Sequence, residues 1–380
     1  MPRSRRTSEV GASQSLQRLC FLSLNCRPIL TSEDEGFAGG AEVEQSHLGL
    51  ELAARGMDIS FVTYGRASDG IARVGDVKVI GTYDRADVSS LNRVRKLSRL
   101  WKALERADAE AYFYESGAAG VLSLFCRITR LPFLFRIPSD AVVVGTPLEK
   151  RRRLGRSVAD MADLVSADAL IVQTQFQKDL LKERFGFESI LIRNGLPIPT
   201  EGLAKGDRPL VVWVGSLSEL KNPRAFVRLA EALPDIRFEL VGGKTRDLAA
   251  YGAVEEALAR LPNFTYRGFV PFHKINRVFE SAHVLVNTSR IEGFPNTFLQ
   301  AWSMRVPVVS LVADPDGVIG KFGLGFHSGS FEQMVADVSE LARNASLRDE
   351  MGQRARKYVE SHHNILEIAN QYIEVFKRLI

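Results

Sequence analysis

Short apolar runs alternate with amphipathic stretches along most of this chain. Runs at 19–24, 59–64, 77–81, 111–114, 133–137 and 169–173 have the length and bounding turn residues of strands. Between them, 42–55, 91–106 and a stretch near 118–129 repeat their apolar residues at helical spacing, and the first stops at Gly56. The glycine and two prolines of Asn194-Gly195-Leu196-Pro197-Ile198-Pro199 then break the pattern, and the chain stays polar to residue 209. The alternation restarts with strands expected at 211–214, 237–241, 264–268, 283–287 and 306–312, and helices at 223–232 and 248–260. Helices near 330–344, 347–361 and 365–379 close the chain. Such alternation predicts an α/β architecture with parallel sheets covered on both faces. The break near 200 splits it into two Rossmann-like halves, with a ligand cleft at the carboxyl ends of the strands.

The length of 380 residues suits two ordinary domains, and 45% hydrophobic with 25% charged residues is a globular composition. The expected organisation is a disordered basic tail at 1–18, an N-terminal domain at 19–196, a linker at 197–209, a C-terminal domain at 210–362 and a last helix at 363–380. A net charge of +5 is compatible with anionic ligands or an anionic membrane surface and gives no ground for nucleic-acid binding. Cys20, Cys26 and Cys126 match no zinc or redox spacing, so buried reduced thiols in a cytoplasmic protein are expected. The run at 19–24 is too short for a signal peptide or a membrane span.

The richest segment is Ser289-Arg290-Ile291-Glu292-Gly293-Phe294-Pro295-Asn296-Thr297-Phe298-Leu299-Gln300-Ala301-Trp302, between two expected strands. It reads as a tight polar loop leading into a helix, with Pro295 and Asn296 at the helix start. Free N–H groups and the positive end of the dipole suit a phosphate there. Glu292 beside the flexible backbone of Gly293 suits hydroxyls, so the loop as a whole suits a nucleotide sugar; an acid that merely complements a helix dipole fits the same residues. The strand at 211–214 ends in Gly215-Ser216-Leu217-Ser218-Glu219-Leu220-Lys221-Asn222-Pro223, where Lys221 at a strand's carboxyl end can neutralise a leaving diphosphate or simply sit in an exposed loop.

These segments resemble the donor site of glycosyltransferase family 4, the retaining GT-B enzymes, in a form with the motif Glu-Gly-Phe-Pro-Asn-Thr-Phe-x-Gln-Ala-Trp. The resemblance runs from about residue 19 to the end and implies the GT-B fold: two facing Rossmann-like domains with a cleft between them, and a last helix packed back on the first domain. It implies a nucleotide diphosphate sugar as donor, a carbohydrate or lipid-linked carbohydrate as acceptor, no cofactor and no metal. Glu292 and Lys221 take the catalytic roles. Glu292 orients the donor hydroxyls, while Lys221 and the amides of Asn296–Phe298 meet the diphosphate. Gly293, Phe294, Pro295, Thr297 and Phe298 complete the donor loop. Gln300 stands where the family has the acid that holds the ribose, and Ser216 where it has an arginine. Gly36-Phe37-Ala38-Gly39-Gly40-Ala41-Glu42 resembles the loop that approaches the diphosphate from the first domain, through Gly39 and Gly40. Gly242 and the Phe269-Val270 pair match the region that holds the nucleotide base.

On the acceptor side, Glu115 occupies about the place of a family histidine that faces the reacting sugar, and Asp140 is a second polar residue at a strand end; both also fit caps or turns. The expected function is retaining, metal-independent transfer to an acceptor hydroxyl, in surface polysaccharide or glycolipid biosynthesis. Ser216 and Gln300 motivate an alternative, a degraded member that binds a nucleotide sugar with little or no transfer.

The first half lacks the Gly-x-Gly-x-x-Gly of dinucleotide enzymes, which disfavours an NAD-dependent reading. The basic amphipathic stretch 91–106 suits a peripheral contact with an anionic membrane or an ordinary surface helix, and the basic cluster at 150–153 is too small to argue for nucleic acid. Asp314-Pro315-Asp316 and Gly323-Leu324-Gly325 read as turns, and His362-His363 lacks partner ligands for a metal.

Overall fold

A computed structural model of the chain describes residues 17–34, 39–65, 70–85, 93–115, 120–144, 161–200, 205–245 and 247–380. The first sheet contains β1 (Arg18–Leu22), β2 (Asp58–Thr63), β3 (Ile71–Val74), β4 (Val77–Gly81), β5 (Ala111–Tyr114), β6 (Phe133–Arg136), β7 (Ala169–Val172) and β8 (Ile190–Leu191). They lie in the order β3-β4-β2-β1-β5-β6-β7-β8, parallel throughout except for the β3–β4 hairpin. The second sheet contains β9 (Leu210–Val214), β10 (Arg237–Val241), β11 (Phe264–Gly268), β12 (Val284–Asn287), β13 (Val308–Ser310) and β14 (Gly325–His327), in the all-parallel order β11-β10-β9-β12-β13-β14. The molecule is thus α/β with two parallel-sheet domains.

Alternate residues of the central strands enter different cores, as sheets covered on both faces require. In β1, Leu19 and Phe21 pack on one face and Cys20 and Leu22 on the other. Val211 and Trp213 of β9 face one core, Leu210 and Val212 the other. All three cysteines are free and buried, and burial pushes the thiols of Cys20 and Cys26 up to about 12.

The strand order reverses between β1 and β5 in the first sheet and between β9 and β12 in the second. Loops diverge at such points and open a crevice at the strand ends. Ser23, Glu115, Gly215 and Thr288 directly follow these four strands.

The chain crosses between the sheets twice, side by side. Leu196 N–H donates to His363 O at 2.8 Å, and Ile365 N–H donates to Leu196 O at 3.2 Å. The crossings are close enough that a Cβ on Gly195 would lie 2.5 Å from Ile365 Cδ1. Beyond the second crossing, helix Ile365–Leu379 returns to the first sheet and buries Ile368, Ala369, Tyr372, Val375 and Phe376 with β1, β2 and β5 residues. Asp316, in the turn Pro315–Gly317, reaches the other way: its carboxylate accepts from Gln175 N–H (2.9 Å) and Phe176 N–H (3.1 Å), at the start of helix Gln175–Phe185 in the first half.

Some elements differ from the sequence expectation. β3, β8 and β14 were not foreseen. β3 alternates exposed and half-buried residues and pairs only at the edge, through a hairpin turn at Gly75 (φ 57°), so it carries no apolar run. Gly323-Leu324-Gly325 is not one turn: Gly323 (φ 62°) ends helix Val318–Phe322, and Gly325 opens β14, where a Cβ would lie 1.9 Å from Val308 O. Asp140, expected in a strand-end loop, begins the short helix Asp140–Val144. Of the tail expected at 1–18, Arg18 instead opens β1, while residues 1–16, Gly36, Phe37 and Ala38, the first residues of the helices expected at 91–106 and 118–129, and the basic cluster at 150–153 lie outside the described residues.

His363 gives the crossing a pH dependence. Its Nδ1–H donates to Asn194 O at 2.8 Å, and burial pushes its pKa down to about 3. The unfolded chain takes up a proton near the ordinary histidine value, while the folded chain does so only near 3. Stability from this group is therefore complete above about 6.5 and falls as the pH drops toward 3. Thermal melts from about pH 7 to about pH 4 should show a falling Tm, with a shallower slope in His363→Gln. An unchanged slope in that variant would count against the assignment.

Candidate functional site

A cavity of about 380 Å³ opens between the two sheets at their strand ends. The first half contributes Gly39, Gly40, Glu115 and Arg136; the second contributes Ser216, Lys221, Gly242, Phe269, Val270 and the run Glu292–Thr297 with Gln300. The structure therefore brings most sequence-expected site residues to one cavity, from both halves.

The cation there is fixed by loops on two neighbouring strands. Lys221 lies in the turn after β9, where Lys221 N–H and Asn222 N–H both donate to Ser218 O. The Thr288 hydroxyl, just past β12, lies 2.9 Å from the carbonyls of Lys221 and Asn222 and accepts from Trp213 Nε1 at 2.9 Å. Arg290 N–H donates to Leu220 O at 2.9 Å and ties the Glu292 loop to the same turn. Lys221 Nζ consequently meets Glu292 Oε1 at 2.5 Å, with both side chains half-buried.

Helix Asn296–Ser303 starts at the cavity behind Pro295, which makes no side-chain cap. Phe298 N–H donates to Pro295 O at 3.0 Å. Among the described residues, no protein acceptor meets the N–H groups of Asn296 or Thr297, so two donors at the positive end of the helix are unpartnered, on residues that line the cavity. This corrects the role expected for Phe298. Its amide is engaged, and its ring is buried against Trp302 because the helix turns that position inward. Asp140 also does not line the cavity: its carboxylate accepts from Gln177 Nε2 at 2.9 Å, and burial pushes its pKa up to about 6.

From the first half, Gly39 N–H donates to Glu42 Oε2 at 2.9 Å as the helix Gly40–Ala54 begins. Gly40 O accepts from Asn296 Nδ2 at 2.7 Å, and a Cβ on Gly40 would lie 3.3 Å from that nitrogen. Gly293 closes against the first half, where a Cβ would lie 3.1 Å from Ser139 Cα and 3.3 Å from Pro138 O. Sequence reasoning missed Arg136 and Asn194. Arg136 is a charged residue ending an otherwise apolar strand, a legible signal; Asn194 was read only as part of a breaking turn. Arg136 Nη1 donates to Glu115 Oε1 at 2.8 Å, and burial pushes Glu115 up to about 8 in spite of that cation. Among the described residues, no cluster of three or more His, Cys, Asp or Glu side chains is arranged to hold a metal.

Gly242 shows how tightly the floor is built, since a Cβ there would lie 1.9 Å from Gly215 O. Gly242→Ala must push β9 and β10 apart, at a cost of about 1–3 kcal/mol. A clear fall in Tm is expected, and a melt indistinguishable from the parent would contradict the close approach.

Two family models match the chain: a glycosyl transferase 4-like domain over residues 39–195 and the glycosyl transferases group 1 over residues 208–344. The D-inositol 3-phosphate glycosyltransferase of Mycobacteroides abscessus is 24% identical over 340 residues, 77% of this chain and 74% of that protein. Sucrose-phosphate synthase from Thermosynechococcus elongatus superposes with a TM-score of 0.80 at 18% identity, covering 96% of this chain and 99% of its own. HepE of Anabaena, in complex with UDP-glucose, gives 0.73 at 15% identity over 95% and 99%. With glycosyltransferase models matching both halves and the fold shared with such enzymes, the chain belongs to the glycosyltransferases of the GT-B fold.

Proposed function

We propose that this glycosyltransferase moves a sugar from a nucleotide diphosphate sugar to an acceptor hydroxyl with retention of configuration and without a metal. One observation carries the reading: an ammonium and two unpartnered helix N–H groups belong to residues that line the same cavity, with the Glu292 carboxylate paired to the ammonium. The diphosphate would draw Lys221 away from Glu292, and the amides of Asn296 and Thr297 would share its charge. Glu292, released, would accept hydrogen bonds from the sugar hydroxyls, and Gln300 from the ribose. Gly242, Phe269 and Val270 would frame the base, and Gly39 and Gly40 would meet the phosphates from the first half. Ser216 contributes a hydroxyl at most, which leaves Lys221 as the principal side-chain cation. In the transfer step the acceptor oxygen bonds to the sugar carbon, the bond from that carbon to the diphosphate breaks, and a diphosphate oxygen takes the acceptor's proton. The intact cradle speaks for turnover rather than for a degraded binder. The similarity to HepE in complex with UDP-glucose makes a uridine nucleotide the first donor to try.

A lipid-linked acceptor in polysaccharide or glycolipid synthesis, at the cytoplasmic face of a membrane, fits the outer surface. No helix among the described residues is long and apolar enough to cross a membrane. Instead, helix Arg93–Ala107 exposes Val94 (79%) and Leu97 among Arg93, Arg95 and Arg99. Helix Val121–Thr129, joined to it through Trp101 and Phe125, exposes Leu124 and Ile128 beside Arg127. Apolar side chains within a basic rim suit an anionic leaflet.

A thermal-shift and transfer screen of nucleotide sugars tests the donor site. Lys221→Ala should lower transfer about 100-fold or more. Glu292→Ala should keep the response to the bare nucleoside diphosphate and lose the further shift given by the sugar. The site is misplaced if neither variant changes the response. Sedimentation with vesicles should show binding that rises with anionic lipid and drops in Val94→Glu/Leu97→Glu; equal binding to neutral vesicles would remove the membrane contact.

A further inference from the structure

A chain of side-chain amides runs from the first sheet to the start of the cleft helix, and its direction is set by chemistry. Arg136 ends β6, is fully buried and can only donate. Its Nη2 meets Asn194 at 2.7 Å, so the atom facing it must be Oδ1. Asn194 Nδ2 therefore points onward, donating to Asn296 Oδ1 at 2.7 Å and Phe294 O at 3.2 Å. Asn296 is then left with Nδ2 toward the first half, where it donates to Gly40 O at 2.7 Å. The backbone at Asn194 is held on both sides. Both oxygens of Glu44 accept the next amide, Gly195 N–H, at 2.9 and 3.0 Å, and Asn194 O accepts from His363 Nδ1 at 2.8 Å.

Asn296 is the first residue of the helix; its own N–H and that of Thr297 lack a protein acceptor among the described residues, and both residues line the cavity. A free asparagine side chain beside such donors competes for them, because its oxygen can bond to nearby backbone N–H. Here that oxygen is held by Asn194 and the nitrogen by Gly40, so neither reaches the cradle.

We propose that Asn194, oriented by Arg136, is a positioning residue: it holds the Asn296 side chain off the helix start, keeps the anion cradle open and straps that helix to Gly40 across the cleft. The proposal rests on the donor-site reading above. It assigns Asn194 a role beyond packing, because what matters is the N–H it donates.

The test is calorimetric binding of uridine and guanosine diphosphates, with transfer kinetics where a donor is found. Asn194→Asp keeps size and the bond from Arg136 but cannot donate; Asn194→Ser and Asn296→Ala are the companion variants, each checked by thermal melt. A folded Asn194→Asp should bind the diphosphate about ten-fold more weakly, with the same loss appearing in KM for the donor more than in kcat. The double variant Asn194→Ser/Asn296→Ala should be no worse than the weaker single variant, since both remove one connection. Multiplicative losses, or parent-like affinity in a folded Asn194→Asp, would overturn the positioning role while leaving the donor site intact. Failure of the parent protein to bind either diphosphate would overturn the donor-site reading, and this proposal with it.

Discussion

The guanidinium of Arg136 is fully buried at the end of β6, and the junction of the two halves is organised around it. Taking such an ion out of water costs several kcal/mol unless it is paired and hydrogen-bonded. Glu115 (2.8 Å), Asn194 (2.7 Å) and Glu44 (3.8 Å) meet that need. Two carboxyls share one cation, so burial still pushes Glu44 up to about 7 and Glu115 up to about 8. The three partners come from different places: the first long helix, the end of β5 and the first crossing. A single buried charge thus fixes where the chain leaves one half for the other.

The cavity inherits its geometry from that junction. The start of the cleft helix is held from the first half by Asn194 and Gly40, while its apolar face, with Phe298 and Trp302, belongs to the core of the second. The element proposed to offer amides to an anion therefore touches both halves at once. The reversal of strand order in each sheet supplies the crevice, Gly242 lets two backbones approach where a side chain would not fit, and Gly40 and Gly293 keep close contacts across the cleft.

Ser216 and Gln300 look different once charge is counted. Against the family pattern, one position loses a cation and the other loses a carboxylate. On the proposed donor-site reading the two changes offset each other in charge, and Lys221 and Glu292 stay paired at the cavity. Two departures that each weaken the site when taken singly are together consistent with a working one.

Much of this was legible in the chain itself. Period and turn residues located the buried parallel strands because, in a sheet covered on both faces, almost every position must be apolar. The Glu292–Gln300 loop stood out through local helix-start chemistry and Lys221 through the family resemblance, and the structure brings both to one cavity. Edge strands such as β3 and the very short β8 escaped, since partial exposure leaves no apolar signature. Only the tertiary structure could decide which way each residue of the cleft helix faced, that Phe298 serves the core, and that Asn194 faces Asn296 from 102 residues away. Sequence fixes propensity and pattern over a few residues, whereas the pairing of a buried charge depends on which distant groups the packed sheets bring within hydrogen-bonding reach.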